Sequence, residues 1–175
     1  IIAGCKKSLD YAPVSEVSDA SFWKTSADFK LAANDLYFSL EEHPAFASGD
    51  NRSDISFGTA ANSTSNGTLT TPESSGFWNN SYSVIRACNY LLMKAGESPV
   101  NDQLHQWEAE ARFFRAYTYF RLVRDLGDVP LIDKVLGLNS PELFGPRTDR
   151  SQVIDFVLAD LDYAAANLPL QKSLP

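Results

Sequence analysis

EAEARFFRAYTYFRLVRDLGDVPLI, residues 108 to 132, contains no glycine or proline before Gly127 and therefore suits one long helix. At roughly 100° per residue its apolar residues split into two groups. Ala109, Phe113, Ala116, Phe120 and Val123 gather on one side. Trp107, Ala111, Phe114, Thr118 and Leu122 gather nearly opposite. Charges fill the seams between them, with Glu110, Arg121 and Arg124 in one and Glu108, Arg112 and Arg115 in the other. A surface helix carries one apolar stripe. Two opposed stripes predict a helix held between neighbours and buried on both sides, as in stacked helical hairpins. Gly127 suits the C-terminal position that needs a positive φ, and Pro130 prevents continuation.

The flanking segments repeat the pattern. Phe77 to Ala95 predicts a second long helix with two apolar faces. Trp78, Tyr82, Ile85, Asn89 and Leu92 form one, and Val84, Cys88, Leu91 and Ala95 the other. Gly96 and Pro99 end it. Upstream, Phe22 and Trp23 are expected against the core. Thr25-Ser26-Ala27-Asp28 reads as a capping box that starts a helix running to about Glu42 on Phe29, Ala32, Ala33, Leu36 and Leu40. Downstream, 133–147 reads as a loop. Asp149 to Gln152 then caps a fourth helix to about Leu168, with Val153, Phe156, Val157, Leu161, Ala164 and Leu168 as its apolar positions. Between the first two helices, 43–75 is aperiodic and rich in Ser, Thr, Asn and Gly. A connection of that length inside a compact domain is functional or disordered.

The chain has 175 residues, enough for one domain with a sizeable core, and its 44% hydrophobic content is ordinary for a globular chain. The net charge of −7 argues against nucleic acid, whose binding needs a basic footprint. Two cysteines allow no disulfide framework and no zinc spacing. No run of about 18 apolar residues is present, so no segment reads as a membrane-spanning helix.

The ordered set AEAR, FRAY, YF and GDVPLI within 109–132 resembles the central signature of the SusD/RagB family, surface lipoproteins that serve nutrient importers in Bacteroidetes. FWKTSADFKLAANDLYFSL, FWNNSYSVIRACNYLL and RTDRSQVIDFVLADLDYAAANLP are similar to further helices of that family, in the same order, and Asn89 matches its asparagine. The resemblance implies an all-α, tetratricopeptide-like fold of stacked helical hairpins with a long irregular loop. Residues 21–175 then correspond to the N-terminal helical part of a longer domain. Ile1-Ile2-Ala3-Gly4-Cys5 resembles the end of a lipoprotein signal, so residues 1–5 read as a signal remnant with Cys5 lipidated. The polar, Pro13-containing segment 6–20 reads as a tether. Two or three acyl chains suffice for durable anchoring in a membrane.

The resemblance also implies a non-enzymatic protein of the outer membrane. It would capture glycan or oligopeptide for a SusC-like TonB-dependent transporter, with no cofactor and no metal. A helical-repeat adaptor that binds only protein is the alternative. The residues themselves supply no phosphate-binding glycine motif, no nucleophile elbow and no carboxylate pair at a spacing suited to glycan cleavage. His43 and His105 sit in unrelated segments, and Asp50, Asn51 and Asp54 lack calcium-loop spacing. The arginines of the 108–132 helix, Arg112 and Arg115 among them, are expected to pair with Glu108 or Glu110, and Cys88 to be a small buried hydrophobe. Sugars are held by aromatic rings with amides and carboxylates on the hydroxyls. The ligand-binding candidates are therefore Asp50, Asn51, Asp54, Phe57 and Asn62 of the long loop, with Trp78 where the loop ends. Phe57 suits a loop anchor as well as a ligand platform, and Trp78 has helical spacing to Tyr82 and Ile85, which suits core packing.

Overall fold

The computed structural model describes residue 19 and residues 21–40, 62–70 and 72–170. Cys5, His43, Asp50, Asn51, Asp54, Phe57, the signal remnant and nearly all of the tether lie outside the described residues. Four helices carry the fold: α1 (Ser26–Leu36), α2 (Gly76–Glu97), α3 (His105–Leu126) and α4 (Arg150–Asn167). One isolated bridge pairs Val129 with Thr148.

Local chemistry sets the ends. Thr25 and Asp28 form the expected reciprocal capping box, with Asp28 Oδ2 accepting from the Thr25 N–H at 2.8 Å. α1 stops at Leu36, short of Glu42, and continues only as a 3₁₀ turn at Tyr37–Ser39. The Ser39 hydroxyl donates to the Leu36 carbonyl at 2.6 Å and tightens that last turn. Ser75 caps α2 by accepting from the Trp78 N–H, and Gly96 is accommodated inside the helix, which ends at Glu97. α3 begins at His105, one turn before Glu108. It ends at Gly127, whose φ of 73° and ψ of −125° lie where a β-carbon is strained. Asp149 caps α4, accepting from the Ser151 N–H at 2.7 Å.

The core has two lobes that share α3. Phe29, Ala33 and Leu36 of α1, Cys88 and Leu91 of α2, and Ala111 and Phe114 of α3 form the first. Ile85, Ala116, Tyr119, Leu122, Val153 and Val157 form the second. Cys88 is fully buried, and desolvation pushes its thiol up to about 12. Trp23, held at a φ of 60°, packs on the first lobe through Phe29 and Tyr90, and its Nε1 donates to Asp19.

α3 is buried on both sides, but its faces are rotated from the expected ones. The Trp107–Leu122 group is inward. Of the opposite group only Ala109 and Ala116 are buried, while Phe113 and Phe120 are 38% and 49% exposed. Tyr119 and Arg115 take the inward positions instead. Arg115 does not pair with Glu108 or Glu110. Its Nε and Nη2 donate to Asp160 of α4 at 2.8 and 2.9 Å, and its Nη1 donates to the Asn89 side chain of α2 at 2.6 Å. Arg112 adds a 3.1 Å bond to the same Asp160. One carboxylate thus joins two turns of α3 to α4, and one guanidinium joins three helices.

Glu110 is almost fully buried against α1, and one of its oxygens has no hydrogen-bond partner. Desolvation raises its pKa, opposed by bonds from Gln106 and Tyr37. A carboxylate with a raised folded pKa contributes stability that is complete below its ordinary pKa and lost as pH rises through the folded value. Glu110→Gln should therefore melt higher than the parent at pH 7, with the gap closing toward pH 4. A constant gap across that range would show that ionisation of Glu110 is not its cause.

Candidate functional site

The segment after Gly127 is laid across α2 by side chains that reach its backbone. Tyr82 Oη donates to the Pro130 carbonyl at 2.7 Å, and Asn89 Nδ2 donates to the Ile132 and Lys134 carbonyls at 3.0 and 3.1 Å. Arg86 Nη1 donates to the Leu136 carbonyl at 2.7 Å. From below, Tyr119 Oη both donates to the Ile132 carbonyl and accepts from its N–H, at 3.0 and 2.7 Å. An extended strap with no repeating ladder is thereby held by four side chains from two helices.

Two hollows flank this strap, and Lys134 borders both. The first has a volume of about 330 Å³ and is bounded by Trp78, Tyr82 and Arg86 on α2, by Lys134 on the strap and by Glu142 and Leu143 beyond it. Its floor is apolar, from Ile85, Pro130 and Ile132. Trp78 and Tyr82 stand with ring centroids 4.8 Å apart, and the Arg147 guanidinium lies 5.7 Å over Trp78. Lys134 and Glu142 pair at 2.5 Å, which raises the lysine pKa and lowers the glutamate pKa. Burial lifts the Tyr82 phenol above its ordinary value, so it stays a neutral donor. The second hollow, about 520 Å³, lies beyond Asn89 and is bounded by Met93, Arg112, Val135 and Phe156. Aromatic walls with charged hydrogen-bonding groups at the rim can hold a sugar ring or an apolar side chain. Among the described residues, no three His, Cys, Asp or Glu side chains are grouped to hold a metal ion.

Of the sequence-predicted site residues, Trp78 lines the first hollow, and it also packs on the second core lobe, so both readings of it hold. Asn62 is not among the residues lining either hollow. It opens a turn in 62–69, its Oδ1 accepting from the Thr64 N–H at 2.9 Å, and so has a local structural task. Arg86, Lys134, Glu142 and Leu143 were absent from the sequence reading. Trp78 is the sequence-predicted candidate that marks this place.

A profile of the SusD-like family, described as starch-binding and associating with the outer membrane, matches residues 15–174. The chain belongs to the SusD-like family. Among relatives, SusD-like protein P38 of Formosa agariphila is 31% identical over 99% of this chain and 36% of its own length. SusD-like protein P2 of the same organism is 30% identical over 96% of this chain and 36% of its own length. The chain thus spans 36% of the length of these two relatives. A solved SusD-like protein from Bacteroides fragilis superposes with a TM-score of 0.77 at 28% identity, over 93% of this chain and 33% of that one. A laminarin-binding SusD-like protein superposes at 0.61 with 25% identity, over 84% and 35%. The SusD-like fold read from the sequence is therefore the fold observed, all-helical with stacked hairpins. None of the described helices is long and apolar enough to cross a membrane.

Proposed function

We propose that this chain is the N-terminal helical part of a lipid-anchored outer-membrane protein that captures glycan without cleaving it and delivers it to a TonB-dependent transporter. The family match over residues 15–174 carries this reading. The laminarin-binding neighbour supports glycan as the ligand class, with oligopeptide the other class to be tested. The Ile1 to Cys5 motif supports lipidation at Cys5 and a tether over 6–20. Within the chain, ligand contact is assigned to the 43–75 loop, through Asp50, Asn51, Asp54, Phe57 and Asn62, and to the Trp78 rim of the first hollow.

The test uses the full-length protein. Shortening the loop between Asp50 and Asn66 should leave the melt and transporter binding intact and remove glycan affinity. Arg86→Ala at the exposed rim should weaken glycan binding by about fivefold, the value of roughly one hydrogen bond, and should lower the melting temperature only slightly through loss of the bond to the Leu136 carbonyl. Full affinity in both variants, measured by calorimetry, would place the ligand elsewhere. Cys5→Ala should release the protein from the membrane fraction, and unchanged fractionation would refute the anchor.

A further inference from the structure

The first hollow is more positive than the chain around it. Arg86 and Lys134 stand at its wall and Arg147 lies over Trp78, against a single acid, Glu142. Lys134 and Glu142 pair with each other. Two arginines are left over, on a chain whose net charge is −7. Both are exposed, and neither has an ion-pair partner among the described residues. Each uses one nitrogen to hold backbone. Arg86 Nη1 donates to the Leu136 carbonyl at 2.7 Å, and Arg147 Nη1 donates to the Asp128 carbonyl at 3.1 Å. The Asp128 carboxylate turns instead to the Arg150 N–H. A guanidinium keeps further donors in a planar fork, and that fork matches the paired oxygens of a carboxylate or a sulfate.

The spacing of the two cations narrows the ligand further. Trp78, Tyr82 and Arg86 recur at i, i+4 and i+8 on the edge of α2 that faces the strap. Trp78 and Arg86 thus stand about 12 Å apart along the helix axis. Because Arg147 lies over the Trp78 ring, the two arginines mark opposite ends of the hollow. Between them are the Trp78–Tyr82 ring pair and the apolar floor. A compact anion meets one end only. A chain of sugar rings lying on the aromatic wall, with anionic groups set along its length, meets both. We infer that the first hollow takes an acidic glycan, one bearing uronate carboxylates or sulfate esters, with Arg147 and Arg86 each holding an anionic group. This deepens the glycan-capture reading and rests on it. A neutral glucan keeps the aromatic wall and forgoes both charge-assisted contacts, so it binds the same hollow more weakly.

The test titrates the full-length protein by calorimetry with tetragalacturonate, a sulfated carrageenan tetrasaccharide, maltotetraose and laminaritetraose. At least one acidic probe should bind about tenfold or more tighter than either neutral one, and added salt should shrink that preference. Binding of the first alone assigns the charge to uronate, and binding of the second alone assigns it to sulfate. Arg86→Gln and Arg147→Gln should each weaken the acidic probe about tenfold while changing maltotetraose by less than about threefold. Glutamine keeps a donor for the Leu136 or Asp128 carbonyl, so the charge is removed with the backbone still held. The unchanged neutral probe separates lost recognition from a loosened strap. Equal affinity for acidic and neutral probes, or acidic binding that survives both substitutions, would overturn the inference and leave glycan capture standing. Failure of all four probes would overturn the glycan reading and this inference with it. Binding of an oligoglutamate peptide in their place would make the ligand class peptide.

Discussion

Asp160→Ala should lower the unfolding free energy by about 3–5 kcal/mol in urea denaturation, the usual cost of leaving a buried charge without its partner. Asp160 is 1% exposed and accepts from three donors on two arginines. Removing it leaves Arg115, itself 4% exposed, with only Asn89 and a long bond to the Asp133 carbonyl. The guanidinium is also stacked 4.7 Å over Phe156, so it has no easy route to water. The Arg115→Met/Asp160→Leu double variant should recover most of the loss, because an apolar pair of similar volume needs no desolvation of charge. A cost below about 1 kcal/mol for Asp160→Ala would show that water reaches Arg115 and that the three-helix joint is weak.

Phe114→Asp and Phe120→Asp should separate sharply in this chain. Phe114 is 1% exposed, sits in the first core lobe and meets Tyr37 edge to face at 4.8 Å. Its replacement leaves a cavity and a carboxylate without a partner, at about 4 kcal/mol or more. Phe120 is half exposed, and its replacement should cost under about 1 kcal/mol. Equal losses in paired thermal melts would mean that α3 is turned differently from the orientation described.

That contrast also marks where the sequence stopped being informative. Periodicity and caps gave four helices because Thr25, Asp149 and Gly127 act on residues within one turn of themselves. The rotation of α3 depends on a residue 45 positions away. Arg115 looks like a seam charge until Asp160 neutralises it, and only then can Tyr119 turn inward beside it. Phe113 and Phe120 look like core by type, yet each stays partly exposed among the described residues. The first hollow was illegible for a related reason. Tyr82, Arg86 and Asn89 make it by bonding backbone carbonyls 43 to 50 residues on, and a carbonyl has no side-chain signature. Trp78 was legible as an aromatic at a loop end, while its neighbours Lys134 and Glu142 were two charges in an unremarkable loop.

The most direct measurement is affinity electrophoresis of the full-length protein through gels cast with starch, with laminarin and with no glycan, followed by sizing of the recovered glycan. Capture without cleavage predicts retardation in at least one glycan gel and unchanged chain length. Free migration in every gel, or shortened glycan chains, would contradict it.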